Sequence, residues 1–382
     1  MKREFVLILL CTGFILSCSS STEIDIPEEI ADMENVAIFS SDDEPSHSIE
    51  FERVTSYGDT DDLFVGQMRG AAVDQSGRVY LADDGEKKVH IYEPDGAHIQ
   101  SVGGEGEGPG EFRFIAGPLV YNNHLYVMDF MQRRISAFQL DDNSFDFALN
   151  MGENDSGVTG FPEHFTPLTN GNYFMVISSM DAEDNEYTRK PELYMMGENG
   201  EIVEKEILRF ENERMITIDS GNGLMLLMPP YIRRTFVRSN NSEEIVSVNS
   251  DRMFIQFYDM DGSYKRAIYY SHSNVPLDRN RILDNYDSDE MKSALRKDTM
   301  PETMPTFSNV HTDDEDRMWF TMLTEEEDQT EYWLLDPEGE RLAVFTWPDG
   351  KTIQTIRDNH IYTMEEDEMG LNEIVKYRFD LD

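Results

Sequence analysis

The sequence predicts an all-β fold: a six-bladed β-propeller with four-stranded antiparallel blades, its ring closed by an N-terminal strand. Three observations carry this prediction. A strand, tight turn, strand unit recurs six times, almost no helical periodicity separates the copies, and the last copy is one strand short. Radial closure is the physical reason such repeats stop at a ring, because each blade buries one face on the next and no end pair is left exposed. Two β-sandwich domains are the rival arrangement, and they lack a linker at mid-chain.

Residues 1–17 read as a lipoprotein signal peptide. Lys2 and Arg3 form a positive start, Phe5 to Leu16 is mostly apolar, and Ile15-Leu16-Ser17-Cys18 resembles a bacterial lipobox. Cleavage before Cys18 removes Cys11, and acylation consumes Cys18. The expected mature chain therefore has no thiol for a disulfide, a thiolate metal site or a cysteine nucleophile. The apolar run is too short to be a retained membrane span. Residues 18–48, rich in Ser, Asp, Glu and Pro, read as an acylated flexible tether.

The propeller domain is expected over residues 49–382. Ile49 to Ser56 alternates apolar and polar residues, which suits an outer, half-buried strand. In the first repeat, Ala72 to Asp83 is strand, turn at Gly77, strand; Val89 to Tyr92 is a third strand; Glu93-Pro94-Asp95-Gly96 turns into a fourth at Ala97 to Val102. The first turn recurs at Tyr121 to Asp129, at Leu168 to Phe174, more loosely from Phe236 through Ile245 to Val248, at Asp313 to Phe320 and at Arg357 to Tyr362. The second turn recurs at Gly197 to Gly200, Tyr258 to Gly262 and Asp336 to Gly339. The sixth copy ends with its third strand, Ile374 to Phe379, so Ile49 to Ser56 supplies the fourth.

Val102-Gly103-Gly104-Glu105-Gly106-Glu107-Gly108-Pro109-Gly110-Glu111-Phe112 follows the first repeat. With the Val73-Asp74 to Gly96 block, this string resembles the NHL-like six-bladed propeller lipoproteins of the Bacteroidetes type. The resemblance implies a propeller fold and export, and it implies no reaction. The lipobox-like Cys18, followed by Ser19 rather than Asp and by acidic Glu23 and Asp25, predicts a lipid-anchored protein of the cell envelope, in the outer membrane. Gluconolactonase-like and paraoxonase-like propellers hold a channel calcium, but their ligand motifs match no positions here.

Composition narrows the function. Against 32 Lys+Arg stand 76 Asp+Glu, a net charge of −44. A chain so acidic repels nucleic acid phosphates, so no nucleic acid partner is expected. The glycine string is no phosphate cradle: no G-x-G-x-x-G frame fits, no Lys follows, and three Glu would oppose an anion. It reads as a connector between the first two blades. The acidic runs at Asp83-Asp84, Asp313 to Asp316, Glu325 to Asp328 and Glu365 to Glu368 have the oxygen chemistry of calcium ligands but no EF-hand spacing, and read first as solvated hairpin turns. No metal ligand set is assigned, no cofactor is expected, and calcium is the one ion the composition suits. G-x-S-x-G and H-E-x-x-H are missing, and no catalytic residue is assigned.

Long insertions at 57–68, 148–163, 179–190, 206–230 and 271–305 fall on one face, with short helices expected near Leu277 to Leu283 and Glu290 to Leu295. Loop length concentrated on one face marks a binding surface on a rigid scaffold. Scarce cations cluster beside it: Arg69, Arg113, Arg133, Arg134, Arg233 and Arg234, with His164, Tyr231 and Phe307 at comparable positions. The expectation is a monomeric, non-catalytic binding module whose arginines select an acidic ligand, an extracellular molecule or an envelope protein partner. A calcium-dependent hydrolase or lyase with its site at the channel mouth is the alternative.

Overall fold

The structure, a computed structural model, describes residues 26–60, 62–151, 160–183, 186–219, 223–326 and 328–382. Cys18, the expected signal at 1–17 and the first residues of the expected tether lie outside the described residues. In chain order come helix α1 (Glu28–Ala31), β1 (Val36–Ser40) and β2 (Ile49–Tyr57). Blade 1 is β3 (Met68–Val73), β4 (Val79–Asp83), β5 (Lys88–Tyr92) and β6 (His98–Gly103). Blade 2 is β7 (Pro118–Tyr121), β8 (His124–Asp129), β9 (Arg134–Gln139) and β10 (Phe145–Asn150). Blade 3 comprises β11 (Phe161–Pro167), β12 (Tyr173–Glu183), β13 (Glu186–Met196) and β14 (Ile202–Arg209), extended by β15 (Glu213–Asp219) and β16 (Leu224–Leu227). Blade 4 is β17 (Thr235–Ser239), β18 (Ile245–Asn249), β19 (Phe254–Tyr258) and β20 (Tyr264–Ser271). Helices α2 (Arg279–Asp284) and α3 (Asp289–Lys297) precede blade 5, which is β21 (Phe307–Thr312), β22 (Met318–Met322), β23 (Gln329–Leu335) and β24 (Arg341–Pro348). Blade 6 is β25 (Thr352–Arg357), β26 (His360–Glu366) and β27 (Asn372–Leu381), completed by β2.

The repeated first turn has a chemical basis. Asp74 Oδ1 accepts the Ser76 and Arg78 amides at 2.9 and 3.0 Å, while Oδ2 accepts Arg78 Nε at 2.8 Å and the Tyr80 hydroxyl at 3.0 Å. Asp313 repeats the pattern with Glu315, Arg317 and the indole N–H of Trp319. One carboxylate thus sets the turn, pairs an arginine and satisfies a buried aromatic donor. At the Gly77 place φ is 83°, and Asp316 tolerates φ 62° in the second copy, as a short polar side chain can.

Alternation then builds the ring. On β4, Val79 and Leu81 pack with Tyr362 and Ile374 of blade 6, whereas Tyr80 and Ala82 pack with Leu125 and Val127 of blade 2. Successive side chains of a strand point to opposite faces, so an inner blade strand serves two neighbours and is buried throughout. β2 closes the ring as expected, antiparallel to β27 from Ile49↔Leu381 to Tyr57↔Ile374.

The tether expectation fails for residues 26–48. Val36-Ala37-Ile38-Phe39 runs parallel to β20 as a fifth strand of blade 4, Phe39 stacks on Tyr270 at 5.1 Å, and Ile30 is buried. Further on, the amides of Ser46 and His47 donate to Arg341 and Leu342 carbonyls of blade 5. An apolar run of four residues suffices to cover an open sheet edge, and the polar composition of the surrounding thirty residues conceals it.

Candidate functional site

The face that carries the outer-to-inner crossings is built up over blades 3 and 4. Residues expected there as loops at 179–190 and 206–230 are largely strand: β12 and β13 run on past the blade, β15 pairs with β13 at Tyr187 to Arg189, and β16 pairs with β15. The two expected helices form beside them, capped by Asp278 and Ser288. Ile216, Tyr231, Ile232, Ile282 and Leu295 join hairpin and helices in a separate small core. Asp298 locks this cap: Arg214 Nη2 donates to it at 2.9 Å and the Tyr231 hydroxyl at 2.7 Å. Burial pushes the Asp298 carboxyl up, but these donors outweigh it and hold it below the usual range. Glu213, itself buried, accepts Arg189 Nε at 2.8 Å and the Thr235 amide at 3.1 Å, fixing the cap to the start of β17.

Beside the cap the channel opens into a cleft of about 490 Å³, lined among others by Arg69, Phe114, Phe130, Glu163, His164 and Gln354 from blades 1, 2, 3 and 6. The Arg69 guanidinium lies over the Phe114 ring at 5.2 Å and 3.3 Å from Asp84. Glu163 is neutralised by Arg189 at 2.5 Å.

Of the residues predicted from sequence, this cleft unites Arg69 and His164. The other five arginines are not among its lining residues, and all five are engaged elsewhere. Arg113 pairs with Glu107. Arg133 donates to the Met151 and Gly160 carbonyls, and Arg134 to those of Glu107, Gly108 and Glu111, so it clasps the glycine-rich connector. Arg233 binds Asp251 and both oxygens of Thr303. Arg234 is exposed, but its Nε lies 3.9 Å from Glu213 and its guanidinium over Phe236 at 5.5 Å. Tyr231 and Phe307 are core residues rather than rim contacts. The physical reason is the excess of backbone and carboxylate acceptors at blade crossings, which consume a guanidinium before a ligand can reach it.

The connector behaves as expected. Phe112 is fully buried between blades 1 and 2, and its amide donates to the Gly104 carbonyl at 2.8 Å. A Cβ at Gly103, where φ is 93°, would meet that ring at 2.7 Å, so only glycine fits. The acidic turns, by contrast, are not all solvated. Asp83 is buried and accepts the amides of Gly66, Gln67 and Gly85 at 3.0, 2.7 and 2.8 Å; burial opposes its charge, but these donors hold the carboxyl below its ordinary range. Asp84 and Asp313 are buried as well. Among the described residues no group of three or more His, Cys, Asp or Glu side chains is arranged to hold a metal ion.

Sequence reasoning named His164 but missed the other polar residues of the channel, Thr166, Arg238 and His311. The amides of Asp74, Leu168, Asn240 and Asp313 each close the first turn of their blade by donating to the carbonyl four residues on, which aligns the four inner strands. Three positions earlier stand Ala71, Phe165, Val237 and Val310, all in inter-blade cores. Two positions earlier, on the opposite side of each strand, stand Ala72, Thr166, Arg238 and His311. Aligning the copies on their turns would have revealed a Thr, Arg, His row on consecutive blades. Burial and, secondarily, Arg238 push both His311 and His164 down to about 3, so both imidazoles are neutral at pH 7.

Comparison with known proteins agrees with this architecture. Residues 59–231 match DUF5128, a family described as a 6-bladed β-propeller. Among solved structures, the chain is similar to a putative exported protein of Bacteroides fragilis, with 12% identity, TM-score 0.55, and coverage of 90% of this chain and 99% of that one. It is also similar to a DUF4221 family member of Bacteroides vulgatus, with 10% identity, TM-score 0.51, and coverage of 88% and 99%. A virginiamycin B lyase of Staphylococcus aureus, determined with quinupristin, aligns at 12% identity and TM-score 0.44 over 87% and 99%. No curated protein matches by sequence.

Proposed function

We propose that this chain is a non-catalytic binding module of the bacterial cell envelope, engaging an extracellular ligand or an envelope protein through the capped face. One observation carries the reading. Phe64 at a crossing, Met131 at a turn and Phe161 at the start of β11 are 62, 70 and 63% exposed on this face, and Met180, Leu224 and Met225 are exposed on the strands of the cap. Large apolar side chains gathered on one looped face of a strongly charged protein favour an interaction surface. Arg69 and His164, in the adjoining cleft, supply polar contacts. The test is capture from native envelope by the tagged protein and by a Met131→Ser/Phe161→Ser variant. Both side chains are exposed, so the melt should be unchanged while capture falls about tenfold. Equal capture by the variant removes this face from the reading.

The site of action we propose is extracytoplasmic, as a lipid-anchored, NHL-like propeller of the outer membrane. The lipobox-like Leu16-Ser17-Cys18 supports an anchor, and the name of the Bacteroides fragilis neighbour supports export. Replacing Cys18 by Ser should move the protein from the membrane to the soluble fraction. Stable membrane retention of that variant refutes the anchor.

A further inference from the structure

We infer that the central channel holds a second site, a receptor for a small monocarboxylate anion, formed by the Arg238 guanidinium between the side chains of His311, Thr166 and His164. It lies inside the ring, shares His164 with the cleft, and does not depend on the exposed apolar residues of the capped face.

In a chain with 76 acidic and 32 basic residues, most described arginines find a carboxylate. Among the described residues Arg238 has none within ion-pair distance. Its one hydrogen bond is from Nη1 to the carbonyl of its own neighbour Val237 at 2.9 Å, and it lies 6.0 Å from the Phe236 ring centre. A cation drawn away from bulk water is costly unless a counter-charge meets it. Burial, aided by Arg234, lowers the Arg238 guanidinium to about 10, which is the same cost seen in its titration.

The neighbours are donors rather than competitors. Asn309 Oδ1 accepts the Val310 amide at 2.9 Å, which turns Asn309 Nδ2 toward His311 Nε2 at 3.0 Å. His311 Nε2 therefore accepts, its proton sits on Nδ1, and that N–H has no partner among the described residues. Thr166 Oγ1 lies 3.0 Å from His164 Nε2, and with the His164 proton on Nε2 the imidazole donates to Oγ1 and leaves the Thr166 O–H for a ligand. A guanidinium fork, a neutral imidazole N–H and a hydroxyl form a donor set that matches one carboxylate. One cation offsets one negative charge, and the anionic body of the protein penalises a dianion such as phosphate more than a monoanion.

His164 lines the upper cleft, and Thr166, two residues on, lines a lower cavity of about 410 Å³ that opens among all six blades. Arg238 and His311 line neither cavity but keep partial exposure between them, which leaves the site open to a small ligand. The lower rim carries Glu243 and Asp314, whereas the upper cleft carries Arg69, with its Glu163 already paired. An anion enters from the capped face.

The test uses the purified full chain in chloride-matched buffers, titrated with acetate, lactate and inorganic phosphate by calorimetry and thermal melting. Acetate and lactate are expected to bind saturably and raise the melting temperature, and Arg238→Gln to weaken them about tenfold or more. Without anion the Arg238→Gln variant should melt at or above the wild type, because an uncompensated charge has been removed; a purely structural arginine would give the opposite sign. If that variant does not fold, Thr166→Val and His311→Gln should each weaken binding several-fold. No saturable effect of either carboxylate on the wild type, retention of binding in Arg238→Gln, or stabilisation by phosphate alone overturns the inference.

Discussion

Deletion of residues 49–56 is expected to lower the melting temperature by about 10 °C or more, because it removes the strand that joins the two ends of the ring. β2 is the outer strand of blade 6 and pairs with β27 over its whole length. Its Phe51 ring lies 4.7 Å from Trp347 and 4.8 Å from Phe345, so the strand also binds blade 6 to blade 5. At its end Tyr57 is buried with Tyr92 of blade 1 and Tyr362 of blade 6, and its hydroxyl donates to the Pro94 carbonyl at 2.9 Å. Without β2, β27 becomes an exposed edge and the seam between first and last blades loses its outer layer. Phe51→Ala alone, at a partly buried site, should cost about 2–3 kcal/mol. An unchanged melt for the deletion would mean that the ring closes by other contacts.

Acidification from pH 7 to 4.5 is expected to destabilise the fold, and the loss should begin above pH 5, before most carboxylates are protonated. His164 and His311 are held at about 3 in the folded chain by burial and by Arg238, against about 6.5 when unfolded. Between those values the unfolded state binds protons that the folded state refuses, so stability falls as pH falls. Each such imidazole contributes a slope of up to about 1.4 kcal/mol per pH unit, and water in the channel lowers the sum for the pair to a few kcal/mol. His90, His272 and His360 are also lowered by burial and act in the same direction. The comparison that isolates the channel is urea unfolding of the wild type against His164→Gln/His311→Gln. The variant should lose about 2–4 kcal/mol less over this interval. Parallel curves would show that both imidazoles titrate as free side chains.

The turn residues explain how far the sequence alone could lead. Asp74, Gly77 and Arg78 act within five residues of one another, so their recurrence at Asp313, Asp316 and Arg317 is written locally and predicts the blades. The short sixth repeat and the alternation of Ile49 to Ser56 likewise predict ring closure, because a two-residue period and a missing partner are both visible along the chain. Residues 36–40 show the limit: their pairing spans more than two hundred positions to β20, and nothing local announces it.

The cap and the channel were decided by tertiary structure. Glu213, Arg189 and Asp298 become structural only when β15 folds back on β13 and α3 packs beneath it, since ion pairing between distant segments depends on a distance the sequence does not contain. The same holds for the arginines of the capped face, whose carbonyl acceptors are supplied by neighbouring crossings. Arg238 is the reverse case. The sequence determined that this chain would be a ring of six acidic blades, with a carboxylate at hand for almost any cation. Only closure of that ring placed Arg238 on its inner wall, where Thr166 and His311 arrive from the adjoining blades and, among the described residues, no carboxylate pairs with it.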